Sequence, residues 1–283
     1  MIPPLPGLDA WLAAREAEVP ALRPGCEKRV AWAAGPERTP WSVVYIHGFT
    51  ASRRELSPYP ERVAEGLGAN LYGARLTGHG QDGSAMGRAT LGDWRADLAE
   101  ALAIGHALGE RVLAISCSTG GTLLTLALAA GEGIAGAVMV SPNFGVRMRR
   151  LQAVLDAPLS GRWVPLLVRG EVGAPVMDTT GIWTPRFPIR AYAPMAEALR
   201  AVRRADLDGI RVPALFAYAD ADRVVDPGLT AVVMRRWGAP VHRIALHPGP
   251  GDDPAAHVMA GEVKSPGQTA RLARQTVDWA LGL

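Results

Sequence analysis

Short apolar runs, each bounded by Gly, Pro, Asn or Asp, recur along this chain and alternate with stretches of helical period. The runs at 28–33, 42–46, 70–74, 112–116, 134–140, 212–217 and 241–246 predict strands. The runs at 112–116, 134–140 and 212–217 are nearly continuous in apolar and small residues, the pattern of strands covered on both faces. Between them, residues 90–108 predict a helix, with Thr90 as cap, Asp93 three residues on, and Leu91, Trp94, Leu98, Leu102 and Leu108 along the sequence at helical spacing. Residues 9–18 predict a short leading helix. Ser265 and Pro266 open a last one through Leu272, Val277 and Leu281. Strand–helix alternation of this kind predicts an α/β fold with a mostly parallel central sheet and helices on both faces.

Residues 144–200 break the alternation, with bulky apolar and charged residues mixed without strand regularity. We read them as a small helical cap inserted over the carboxyl edge of the sheet, with 1–143 and 201–283 forming the core. Trp163, Trp183 and Phe187 are its candidate substrate contacts.

A length of 283 residues, with 48% hydrophobic and 20% charged residues, suits one large globular domain carrying an insertion. The net charge is only +3 and the arginines are scattered, which argues against a nucleic-acid surface. Cys26 and Cys117 show no metal-type spacing with histidine, so no metal or cofactor is expected. The first residues lack the pattern of a secretory signal, and no apolar run approaches the ~20 residues of a membrane span. A cytoplasmic protein acting on a small molecule, without nucleic acid or stable membrane insertion, is the expectation.

The chemistry concentrates at Arg111-Val-Leu-Ala-Ile-Ser-Cys-Ser-Thr-Gly-Gly121, an apolar strand running through Ser118 into a helix. A serine on a sharp strand-to-helix turn has its hydroxyl exposed at the end of a parallel sheet, and small neighbours let the helix pack close to the strand. The segment departs from G-x-S-x-G only in having Ser116 for the first glycine. Gly120 and Gly121 favour Ser118 as nucleophile over Ser116, which falls within the apolar run, and over Cys117, whose minus-two neighbour Ile115 is bulky. In this architecture an acid and then a histidine follow the serine. Asp220, Asp222 and Asp226 all lie just past the 212–217 strand, and the polar loop after the last strand ends at His257. His106, on a helix, and His242, within a strand, read as structural, and His247 is the weaker competitor for the base. Two backbone N–H groups must receive the oxyanion: Thr119 at the helix start, and Phe49 in the loop His47-Gly-Phe-Thr50.

These motifs (YIHGFTAS, RLTGHGQDG, ISCSTGG, AYADADRVVD and the His257 loop) together resemble the α/β-hydrolase superfamily, and within it the bacterial carboxylesterase, monoacylglycerol lipase and lysophospholipase group. The resemblance implies a serine esterase with a helical cap and selects Asp222 as the acid. Ala219 then stands where the group's G-x-x-D-x-x-V pattern has glycine. It also implies that His79, in the GHG sequence, is structural.

Overall fold

The computed structural model describes residues 2–168, 170–173 and 180–283. Its elements in chain order are α1 (Leu8–Ala17), β1 (Arg29–Ala31), β2 (Thr39–Ile46), α2 (Tyr59–Leu67), β3 (Asn70–Gly73), α3 (Gly83–Met86), α4 (Leu91–Leu108), β4 (Gly109–Cys117), α5 (Thr119–Ala129) and β5 (Gly136–Val140). There follow α6 (Arg149–Asp156), α7 (Ser160–Leu167), β6 (Glu171–Gly173), β7 (Arg186–Pro188), α8 (Tyr192–Arg204), β8 (Ala214–Tyr218), α9 (Pro227–Arg235), β9 (Val241–Ala245) and α10 (Pro266–Leu281).

The seven expected strands form one sheet, in the order β1-β3-β2-β4-β5-β8-β9. All neighbours are parallel except β1 and β3. This is an α/β-hydrolase architecture. From β2 the chain first moves outward to β3 and then returns to place β4 on the other side of β2. The carboxyl ends of β2 and β4 therefore flank a point where the winding reverses, which is where open α/β sheets hold their ligands.

The inner strands are apolar on both faces because two buried clusters lie one on each face of the sheet, while the edge strands β1 and β9 are largely exposed. Along β4, Val112 and Ala114 enter one cluster while Leu113 and Ile115 enter the other. The long helix α4 carries the anticipated capping box, with Asp93 N–H on the Thr90 hydroxyl and Thr90 N–H on the Asp93 carboxylate. The leading helix α1 is tied to the end of β3 by a buried pair in which Arg75 donates to Glu16 at 2.7 and 2.8 Å. Removing either partner would leave a buried charge uncompensated.

Between β5 and β8, the helices α6, α7 and α8 are joined by an antiparallel β6–β7 hairpin. Residues 169 and 174–179 of the expected cap lie outside the described residues. The hairpin seats closely on α3: a Cβ at Gly83 would fall 2.0 Å from the Arg186 carbonyl oxygen. Helix α8 runs past residue 200, and Met195, Ala196, Ala198, Leu199 and Val202 from it join the core on one face of the sheet.

Candidate active site

Ser118 sits between β4 and α5 with φ 50° and ψ −115°, a conformation that L side chains rarely adopt. The turn is tight because α5 starts against the end of β2. A Cβ at Gly120 would lie 2.4 Å from the Ile46 carbonyl oxygen. Gly121 plays a similar part against Pro142, where a Cβ would lie 2.8 Å from the proline Cβ. The competing nucleophiles are occupied elsewhere. Ser116 donates to the Val138 carbonyl at 3.0 Å, and burial pushes the Cys117 thiol far up, away from thiolate.

The structure brings Ser118, His257 and Asp222 together. His257 Nε2 lies 3.1 Å from Ser118 Oγ, and its Nδ1 lies 2.8 Å from Asp222 Oδ2. With the Nδ1 proton directed to Asp222, Nε2 is left to accept from the serine hydroxyl. The other Asp222 oxygen accepts from the N–H groups of Val224 and Val225, at 2.7 and 2.9 Å. Asp220 instead pairs with Arg243 at the surface, and Asp226 caps α9 through Gly228 N–H. Burial opposes a charged His257, but the adjacent Asp222 carboxylate, joined by Glu55 and Asp253, outweighs it and holds the imidazole above its ordinary value.

The loop carrying His257 is held from below by Asp253, a residue that the pattern of the sequence gave no reason to single out. Its carboxylate accepts from the N–H groups of Ala255, His257 and Val258. On the other side of the serine, the loop after β2 packs so near that a Cβ on Gly48 would lie 3.1 Å from Ser118 Cβ. Among the described residues, neither the Phe49 nor the Thr119 N–H has a protein acceptor. His106, His242 and His247 are exposed.

These groups open onto a cavity of about 350 Å³ beneath the segment between β5 and α8. Its walls are mainly apolar, with Trp183, Phe187, Tyr192, Met195, Leu151 and Val225 among them. Phe49 stacks on Tyr192 with ring centroids 5.3 Å apart and meets Phe187 edge-on at 5.2 Å. Two of the three expected aromatic contacts, Trp183 and Phe187, thus border the cavity. Trp163 does not: it lies on α7, 38% exposed, with its indole N–H donating to the Pro158 carbonyl. Its exposed position on α7 is invisible to a reading of aromatic content. Tyr192 and Met195 were missed because both also read as core positions of a helix.

The family described as serine aminopeptidase, S33, matches residues 37–251. The chain belongs to this family. Among curated proteins, a thermostable monoacylglycerol lipase from Bacillus sp. (strain H-257) is 26% identical over 201 residues, covering 70% of this chain and 77% of that one. Among solved structures, one reported for the metagenome-derived lipolytic enzymes LipS and LipT has a TM-score of 0.74 at 20% identity, covering 93% of this chain and 100% of that one. The monoacylglycerol lipase of Paleococcus ferrophilus has a TM-score of 0.62 at 13% identity, covering 90% and 99%. The S33 chain is thus a lipase- and esterase-like α/β hydrolase. Among its described residues no helix is long and apolar enough to cross a membrane, and no group of His, Cys, Asp and Glu could hold a metal ion.

Two further histidines of the S33 hydrolase make its stability acid-sensitive. His47 orients the loop after β2, its Nδ1 on the Gly48 carbonyl and its Nε2 accepting from Leu76 N–H. Burial pushes it down to about 4, and drives its neighbour His79, whose Nε2 has no partner among the described residues, down as well. Both are neutral when folded, so the unfolded chain binds more protons below the ordinary histidine value. Stability is therefore complete above pH ~6.5 and falls as pH drops toward 4, by about 3 kcal/mol for His47 alone. Urea unfolding between pH 7 and 4 measures this slope. A His79→Leu variant should lose part of it, and equal slopes in both proteins would contradict the account.

Proposed function

We propose that the protein hydrolyses carboxylic esters through Ser118, His257 and Asp222 by way of an acyl-enzyme. The observation that carries this reading is the unbroken relay of 3.1 and 2.8 Å, beside two backbone amides with no acceptor among the described residues. His257 takes the Ser118 proton as Oγ attacks the ester carbonyl, and Asp222 stabilises the imidazolium that forms. The N–H groups of Phe49 and Thr119 receive the oxyanion, the latter helped by the N-terminus of α5. The imidazolium then protonates the leaving alcohol, and water repeats the sequence on the acyl group. The described residues between β5 and α8 act as the lid over this site. The apolar cavity beneath them suits an acyl or alkyl chain, in keeping with the lipolytic relatives.

The family description also raises an amide reading, in which the same triad releases an amino acid. A panel of p-nitrophenyl esters of increasing acyl length, matched thioesters and amino-acid anilides separates the two. Esters are expected to be turned over fastest, with an optimum at intermediate chain length set by the cavity. Anilide turnover exceeding that of every ester would replace this reading with a peptidase one.

A further inference from the structure

One buried acid beside the reacting atoms has no part in the triad. Glu55 is 3% exposed and borders the same cavity as Ser118 and His257. Its Oε2 accepts from Gly48 N–H at 2.8 Å and from the Tyr45 hydroxyl at 3.0 Å. Gly48 is the hinge of the loop that presents Phe49. The Phe49 N–H and the Gly48 carbonyl belong to one peptide plane, and that carbonyl is held by His47 Nδ1 at 2.8 Å and Ala51 N–H at 3.2 Å. The preceding plane, which carries Gly48 N–H, is held by Glu55. A glycine between two planes is otherwise free to rotate. A stiffer residue here would crowd the site, because a Cβ would press on Glu55 Oε1 at 3.0 Å and Ser118 Cβ at 3.1 Å.

We propose that Glu55 is a positioning residue for the oxyanion hole, fixing the Gly48 backbone so that the Phe49 N–H points at the developing charge. This rests on the reading of Ser118 and Phe49 given above. Preorganised donors are effective because they do not reorient during the reaction, and a loop free to turn loses that advantage. Burial pushes the Glu55 carboxyl up toward its neutral form, which glutamine resembles in shape and in its acceptor oxygen.

The test compares wild type, Glu55→Ala and Glu55→Gln for kcat and KM on a p-nitrophenyl ester, and for inhibition by a trifluoromethyl ketone that forms a tetrahedral adduct with the nucleophile. The alanine variant is expected to lose kcat by about 10- to 100-fold, part of the 10²–10³ that a deleted donor costs. KM should stay within about threefold, and the inhibition constant should rise in step with the loss in kcat/KM. Glutamine should restore kcat to within about fivefold of wild type. Should the alanine variant not fold, Glu55→Ser takes its place. An unchanged kcat in the truncated variant, a change confined to KM, or a loss that glutamine does not repair would overturn the assignment. Wild type that neither cleaves the ester nor is labelled at Ser118 by a fluorophosphonate would sink the reading of the site, and Glu55's role with it. An active, labelled wild type beside an unaffected Glu55→Ala would remove Glu55 alone.

Discussion

Replacing Ser118 by alanine is expected to reduce kcat for ester hydrolysis on the order of 10⁶-fold and to abolish fluorophosphonate labelling, with the fold intact. In the proposed mechanism the nucleophile is the one triad member whose removal leaves nothing to form the acyl-enzyme. The remaining histidine and amides then act only on bound water. The structure also says why folding should survive. Ser118 Oγ makes its hydrogen bond to His257, while the main chain of the elbow is held by Ser118 N–H on the Val140 carbonyl and by Asn143 N–H on the Ser118 carbonyl. Alanine keeps these backbone bonds and the same unfavourable φ of 50°. Thermal unfolding of the alanine variant should therefore match wild type within about 2 °C. Glycine at this position removes the strain and should stabilise the protein by ~1 kcal/mol while being equally inactive. An alanine variant that retains a tenth of wild-type turnover would mean that another group is the nucleophile.

What was legible in the sequence follows the range over which each signal acts. The strands at 42–46 and 112–116 are buried on both faces, so their composition alone marks them, and they lie within β2 and β4. The position of the strand-to-helix turn at Ser118 was legible because Gly120 reports a steric fact, the approach of α5 to the Ile46 carbonyl, that leaves no room for a side chain. The β6–β7 hairpin was not legible. Its strands are three residues each, too short for a period, and they are organised by contact with α3, far away in sequence. Glu55 was hidden for the same reason. In Ala51-Ser-Arg-Arg-Glu55 it reads as one more charged residue, and only the fold turns its carboxyl under Gly48. Asp253, in a Gly/Asp-rich loop, looked like any turn residue until its carboxylate was seen to collect three backbone N–H groups.

The acid was the least determined member of the proposed triad in the sequence, because Asp220, Asp222 and Asp226 share one short segment. Their surroundings now separate them. Asp222→Asn is expected to reduce kcat by about 10⁴-fold with little change in KM. Asp222 uses its two oxygens differently, Oδ1 accepting from Val224 and Val225 N–H and Oδ2 facing His257 Nδ1. In asparagine the remaining oxygen is retained by those two backbone donors, so the new amide NH₂ turns toward the histidine. Nδ1 must then accept, the ring proton moves to Nε2, and the base can no longer take the Ser118 proton. The carboxylate that does most to hold His257 above its ordinary value is also lost, so the acid limb of kcat/KM, above pH ~6.5 in wild type, moves to lower pH as the plateau falls. Asp220→Asn and Asp226→Asn should each leave kcat within about threefold, since one pairs with Arg243 and the other caps α9. Turnover across pH 5–9 for the three variants decides the matter: a loss near 10⁴ at Asp220 or Asp226, or its absence at Asp222, would transfer the role.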